Sequence, residues 1–239
     1  SNTAPVNVVS IEDKCVIELA DGTTNYITDG STRTDTSIEA AIYSMDDLQI
    51  KGSGTLIVDA NYADGIVSKD DLKIKNGNIQ VTSVDDAIRG KDSVVVEDGM
   101  ITIDAEGDGI KASNDEEDGE GYIEISGGSF TINSHLDGIQ AESSVNITGG
   151  DFNIYTYEGS AYSGTGSTGG NTGGFPGGGG GMGEGNSSKI DDSAKGIKAA
   201  TDITISDGTF IIDSTDDSIH SNGTVNIKGG EFTIATADD

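Results

Sequence analysis

Five aspartates recur at one position of a repeating pattern: Asp64, Asp86, Asp108, Asp137 and Asp217, with Lys195 interrupting the series. Each stands two residues before an isoleucine, the last being Ile219. Asp85 and Asp216 double the charge in two repeats. Asp104 and Asp213, four residues upstream, are expected at the same corner, with Asn133 in the equivalent place. If the repeats stack as strands, neighbouring carboxylates lie about 4.8 Å apart. Like charges so spaced raise one another's pKa and destabilise the fold unless a cation neutralises them. A turn preference explains any one of these residues, because Asp-Gly and Asp-Ser are ordinary corners. The alignment of the whole set favours a metal ledge instead. Its donors are all hard oxygens, which points to calcium rather than zinc in a chain with two histidines, His135 and His220, and one cysteine. Magnesium demands near-ideal octahedral geometry and suits a ladder at strand spacing less well.

The residues beside this column carry a second pattern. A small residue follows each place, Gly65, Ala87, Gly109, Gly138, Gly196 and Ser218, and reads as a shallow floor. After the isoleucine comes an outward position holding Val67, Arg89, Lys111, Gln140, Lys198 and His220. An acidic file, a floor and a partly basic file make a groove suited to an elongated anionic polymer. Its carboxylates could bridge to calcium on one side and meet Arg89, Lys111, Lys198 or His220 on the other. The plainer alternative is that these cations only offset the neighbouring aspartates, each contributing little at a surface. A lyase acting on uronic acids needs a metal to acidify the proton and a Lys or Arg as base, and Lys111 is the candidate by position, with Arg89 behind it. A hydrolase would need two carboxylates of separated pKa, and so many aspartates leave no pair singled out.

The elements that hold these columns are short strands. A shift of 22 residues carries Ile203, Ile205, Phe210 and Ile212 onto Val225, Ile227, Phe232 and Ile234. Coils begin at Leu48, Leu72, Val94, Ile123, Val145, Ile203 and Val225, and five apolar ladders run through them. Within each burst the apolar spacing is two, β-branched residues dominate and proline is absent, as stacked strands require. Turns such as Asn76-Gly77, Asp98-Gly99, Gly149-Gly150 and Gly229-Gly230 join them. The expected fold is all-β: a parallel β-helix with three short strands per coil and about seven coils. Residues 1–35 do not fit the repeat and are expected to form one or two capping strands, leaving Cys15 outside the ladders. Residues 36–239 form the solenoid, 36–47 being a partial coil. Two insertions interrupt it: the acidic Ser113–Gly121, and a Gly-, Ser- and Thr-rich stretch at 158–193 expected to be a flexible loop. That loop lacks the Gly-Lys-Ser/Thr of a phosphate cradle.

A formal charge of −29, from 42 acidic residues against 13 Lys and Arg, argues against nucleic acid and anionic membranes as partners. The single cysteine excludes an intrachain disulfide. No apolar run approaches the length of a membrane helix, so membrane insertion is not expected.

The DGI corners, the GGxFxI strands and the Gly-rich insert resemble a family of secreted bacterial carbohydrate-binding domains. These are right-handed parallel β-helices related to pectate lyases. The resemblance covers residues 36–239. It implies bound calcium, affinity for acidic plant polysaccharide such as polygalacturonate, with cellulose as a further ligand, and a place outside the cell or on its surface. The related calcium-dependent lyases take an Asp from one coil and an Asp-Asp pair from the next, which Asp64 and Asp85-Asp86 match. A further Asp is replaced by Arg89 here, and no Lys aligns with the catalytic base. Binding without turnover is therefore expected, and separately a monomer. The alternatives are a polyuronate lyase and a structural adhesin whose calcium serves only folding.

Overall fold

The computed structural model describes residues 2–11, 13–162 and 193–237. The Gly-rich stretch expected as a loop lies mostly outside the described residues. Strands spaced two-by-two in apolar residues cannot bury both faces alone, so they stack coil on coil. Three parallel sheets of eight strands result, every coil contributing one strand to each. The architecture is a right-handed parallel β-helix, as expected. The first sheet starts with Val6–Val8 and then Ala40–Ser44, the second with Cys15–Leu19, and the third with Thr24–Thr28. No helix among the described residues is long and apolar enough to cross a membrane.

The five apolar columns are the five ladders of the core, in register at each step. Leu48 pairs with Leu72 and Leu72 with Val94 in the second sheet, while Ile88 pairs with Ile66 and Ile110 in the first. Their side chains are almost wholly buried before the last coil, where Val225, Ile227 and Ile234 are exposed, and each buried one stabilises the fold by about 1.5–3 kcal/mol. In the third sheet Phe130, Phe152, Phe210 and Phe232 stack ring on ring, with centroids 4.6–4.7 Å apart. The turns between the second and third sheets need glycine. Gly99 sits at φ 133°, and a Cβ there would come 3.0 Å from the carbonyl oxygen of Gly77 in the coil before.

The N-terminal residues differ from expectation. They supply three strands, not one or two, and these are the first coil itself. Cys15 pairs with Leu48 and Ile17 with Ile50, so Cys15 belongs to a core ladder rather than standing outside the repeats. The offset to the next coil is longer here because the corner at 29–39 carries extra residues, which hides the repeat.

Candidate functional site

The corner between the third and first sheets places the aspartates. Asp64, Asp86, Asp108 and Asp137 are each at most 5% exposed. The chain turns inward there, and backbone amides meet the carboxylates: Asp86 N–H donates to Asp64 Oδ1 at 3.2 Å, Asp108 N–H to Asp86 Oδ1 at 2.9 Å, and Asp137 N–H to Asp108 Oδ1 at 2.9 Å. Lys195 N–H closes the series on Asp137 Oδ1 at 2.8 Å. The file is thus a hydrogen-bonded ladder along the solenoid axis.

The basic file stands in register beside it, Arg89 with Lys111, Lys111 with Gln140, Gln140 with Lys198 and Lys198 with His220. These cations turn onto the aspartates. Arg89 forks onto Asp64 Oδ2 and also reaches Glu39 Oε1 at 2.7 Å. Lys111 Nζ lies 2.7 Å from Asp108 and 3.3 Å from Asp86. Lys198 Nζ is 3.0 Å from Asp137, and His220 Nδ1 is 2.8 Å from Asp217. Lys195 is paired with Asp216 and lies 3.6 Å from Asp217. Burial alone would lower the Lys111 pKa, but the Asp108 and Asp86 carboxylates outweigh it and raise it above the ordinary lysine value. That holds the ammonium charged, which opposes a role as base.

Negative charge is in excess at the Asp64 end. Four buried file carboxylates face Arg89, Lys111 and Lys198, and Asp85 and Glu39 stand beside them, with Lys69 Nζ 3.3 Å from Glu39. Burial foremost, with Asp86 and Asp85 adding and Arg89 opposing, pushes the Asp64 carboxyl up to about 7. Asp108 is raised to about 6, again mainly by burial. Oxygens of Asp64, Asp85 and Asp86 lie within 4.8 Å of one another, and Asp85 is exposed. This donor set is hard and anionic, and it opens to solvent on one side, which fits calcium.

Two expectations need correction, and one carboxylate group was not anticipated. Asp104 and Asp213 do not join the file. Ile103 and Ile212 point into the core, so the next residue of each strand points outward from the third sheet. Asp213 there accepts Ser160 N–H at 2.5 Å. The small residues are not an open floor but are buried inside the corner. A Cβ on Gly109 would lie 2.5 Å from Gly138 O and 2.6 Å from the Ile132 side chain. A second carboxylate group, Asp47, Asp70 and Asp71, also brings oxygens within 4.8 Å. Its signal in the sequence is the aspartate pair that stands immediately before each of two coil starts, Asp46-Asp47 before Leu48 and Asp70-Asp71 before Leu72.

Residues 1–239 match throughout the family described as carbohydrate-binding domain-containing protein. The chain belongs to that family. A carbohydrate-binding domain-containing protein of Acetivibrio thermocellus is 45% identical over 86 residues, which is 34% of this chain and 30% of that protein. The chain thus spans under a third of that relative's length. A solved structure titled as that of the polysaccharide lyase-like protein from C. thermocellum, a gadolinium derivative, aligns over 92% of this chain and 68% of its own, with 29% identity and a TM-score of 0.59. This carbohydrate-binding family member therefore shares its solenoid with a lyase-like protein over most of its length.

Proposed function

We propose that this protein binds polysaccharide outside the cell, and that the chains it favours are acidic and held through calcium at Asp64, Asp85 and Asp86. The observation that carries this reading is the convergence of those three carboxylates, two buried and one exposed, at the end of the file where Asp85 adds a further carboxylate. Bound there, calcium would supply the positive charge that links these carboxylates to those of a uronate chain. Family membership supports a glycan ligand, and the lyase-like neighbour supports a polymeric one. Binding without turnover is supported by Lys111, whose ammonium is paired with Asp108 and Asp86.

The test is calcium titration of metal-stripped protein, followed by polygalacturonate binding with and without the metal while ultraviolet-absorbing product is monitored. Calcium should raise the melting temperature, with about 2.7 kcal/mol of added stability at a hundredfold excess over Kd. Asp85→Asn, at an exposed position, should remove most of that gain and leave the metal-free fold intact. Glycan retained only with calcium and without product supports the reading. Product that vanishes in Lys111→Ala would make this a lyase, and calcium stabilisation without glycan retention would make the site a structural staple.

A further inference from the structure

A groove of about 390 Å³ opens on the outward face of the third sheet. Three successive coils line it. Asp104, Asn133 and Tyr155 lie in register along one column. Glu106, His135 and Tyr157 follow in the next, tied by His135 N–H to Ala105 O and Tyr157 N–H to Ser134 O, both at 2.8 Å.

The aromatic side of this groove is built. Tyr157 has φ 52°, the one non-glycine residue at positive φ among the described residues. Such a conformation in a bulky residue persists only where its surroundings impose it. Here the buried Thr215 hydroxyl accepts Glu158 N–H at 3.1 Å and donates to Thr156 O at 3.1 Å, which locks the turn after the strand. Gly159 in that turn lies against Tyr155, so closely that a Cβ would come 2.6 Å from the ring. Tyr157 meets His135 edge-on at 4.6 Å between centroids, and Tyr162 braces Tyr157 from behind at 5.6 Å. Yet Tyr155 remains 39% exposed. The other coils put Thr28, Asp59, Thr82, Asp104, Asn133, Asp213 or Ala235 at its place, none of them aromatic.

The polar side has hydrogen-bonding capacity to spare. Asp104 and Asn133 are exposed, and among the described residues their side chains make no hydrogen bond or ion pair with the protein. No lysine or arginine lines the groove, while Asp104 and Glu106 both do. An anionic ligand is repelled by that lining, and a purely apolar one would strip water from two carboxylates without return. A pyranose ring matches both halves. Its C–H face packs on tyrosine and histidine rings, and its hydroxyls donate to carboxylate and amide oxygens.

We propose that this groove is a subsite for uncharged pyranose residues of a glycan chain, separate from the acidic file and independent of calcium. The test is calorimetric titration of the full chain with neutral hexasaccharides of glucose, mannose and xylose in the presence of a calcium chelator. Oligogalacturonate with calcium runs as a separate arm. At least one neutral hexasaccharide should bind. Tyr155→Ala should weaken it by about tenfold or more, and Asp104→Ala by a few-fold. Tyr155→Phe should keep the affinity, since it keeps the ring. Thermal unfolding shows which variants are folded, and Asp104→Ala, at an exposed unpaired position, serves should Tyr155→Ala fail. The oligogalacturonate arm should not change in any of these variants. The proposal falls if no neutral hexasaccharide binds under chelation, or if folded Tyr155→Ala and Asp104→Ala bind as the parent does. It falls also if both arms weaken together, since one shared site would then serve both. Failure of the oligogalacturonate arm alone would count against the calcium reading and leave the groove standing.

Discussion

Asp108 accepts the backbone N–H of Asp137 through Oδ1 at 2.9 Å. The acidic column, expected from the sequence as a set of metal ligands, is therefore part of the backbone hydrogen-bond network. The amides stabilise the buried carboxylates from one side and the basic file stabilises them from the other. The amide contact lengthens to 3.2 Å at Asp64, where Asp85 adds charge and Arg89 serves both Asp64 and Glu39.

This double role separates two substitutions at one site. Asp108→Asn keeps an oxygen for the Asp137 amide, whereas Asp108→Ala leaves that amide buried without a partner, at a cost of about 1–3 kcal/mol. Melting of Asp108→Ala should therefore fall several degrees below that of Asp108→Asn. Equal melting temperatures would mean that the ladder contributes nothing.

Stability of the metal-free protein should rise on acidification. The folded-state pKa of Asp64 is about 7 against an ordinary 3.8, and that of Asp108 is about 6. Between the ordinary and the raised values the folded chain binds protons that the unfolded chain does not, so stability grows as pH falls through that window and is lost as pH rises through it. The melting temperature at pH 5 should exceed that at pH 8 by a few degrees. Relief of the overall negative charge acts with the same sign, so the decisive comparison is Asp64→Asn, which should show a shallower pH dependence. Parallel curves would refute the assignment to Asp64.

At the N-terminal end of the file, Arg33 and Asp29 form an ion pair at 2.6 Å with both side chains fully buried. Arg33 also donates to Ala40 O at 2.7 Å and lies over the Tyr62 ring, and Asp29 accepts Asn61 N–H. Arg33→Ala strands the Asp29 charge and should cost about 3–5 kcal/mol. Lys51→Ala breaks the exposed Lys51–Glu18 pair and should cost less than about 1 kcal/mol. Urea unfolding of the two variants measures the contrast, and comparable losses would contradict the burial argument.

Sequence by itself determined the solenoid, the five core ladders, the glycine turns and the presence of an acidic and a basic column side by side. Those features are one-dimensional. A strand alternates every two residues, and a coil repeats by simple translation, so neighbours along a column can be counted off the chain. Only the tertiary structure decided how the columns use their charges. Lys111 and Lys198 can reach the aspartates because the corner brings a long side chain back across the isoleucine. Asp104 and Asp213 leave the file because the bend between sheets falls after them. The same bend sets Tyr155 and Tyr157 beside Asp104 to open a groove. Cys15 entered a ladder despite its irregular offset, because core register follows the stacking of strands and tolerates extra residues at a corner. Spacing fixes which residues share a column, whereas the angle of each corner and the reach of each side chain fix which atoms meet.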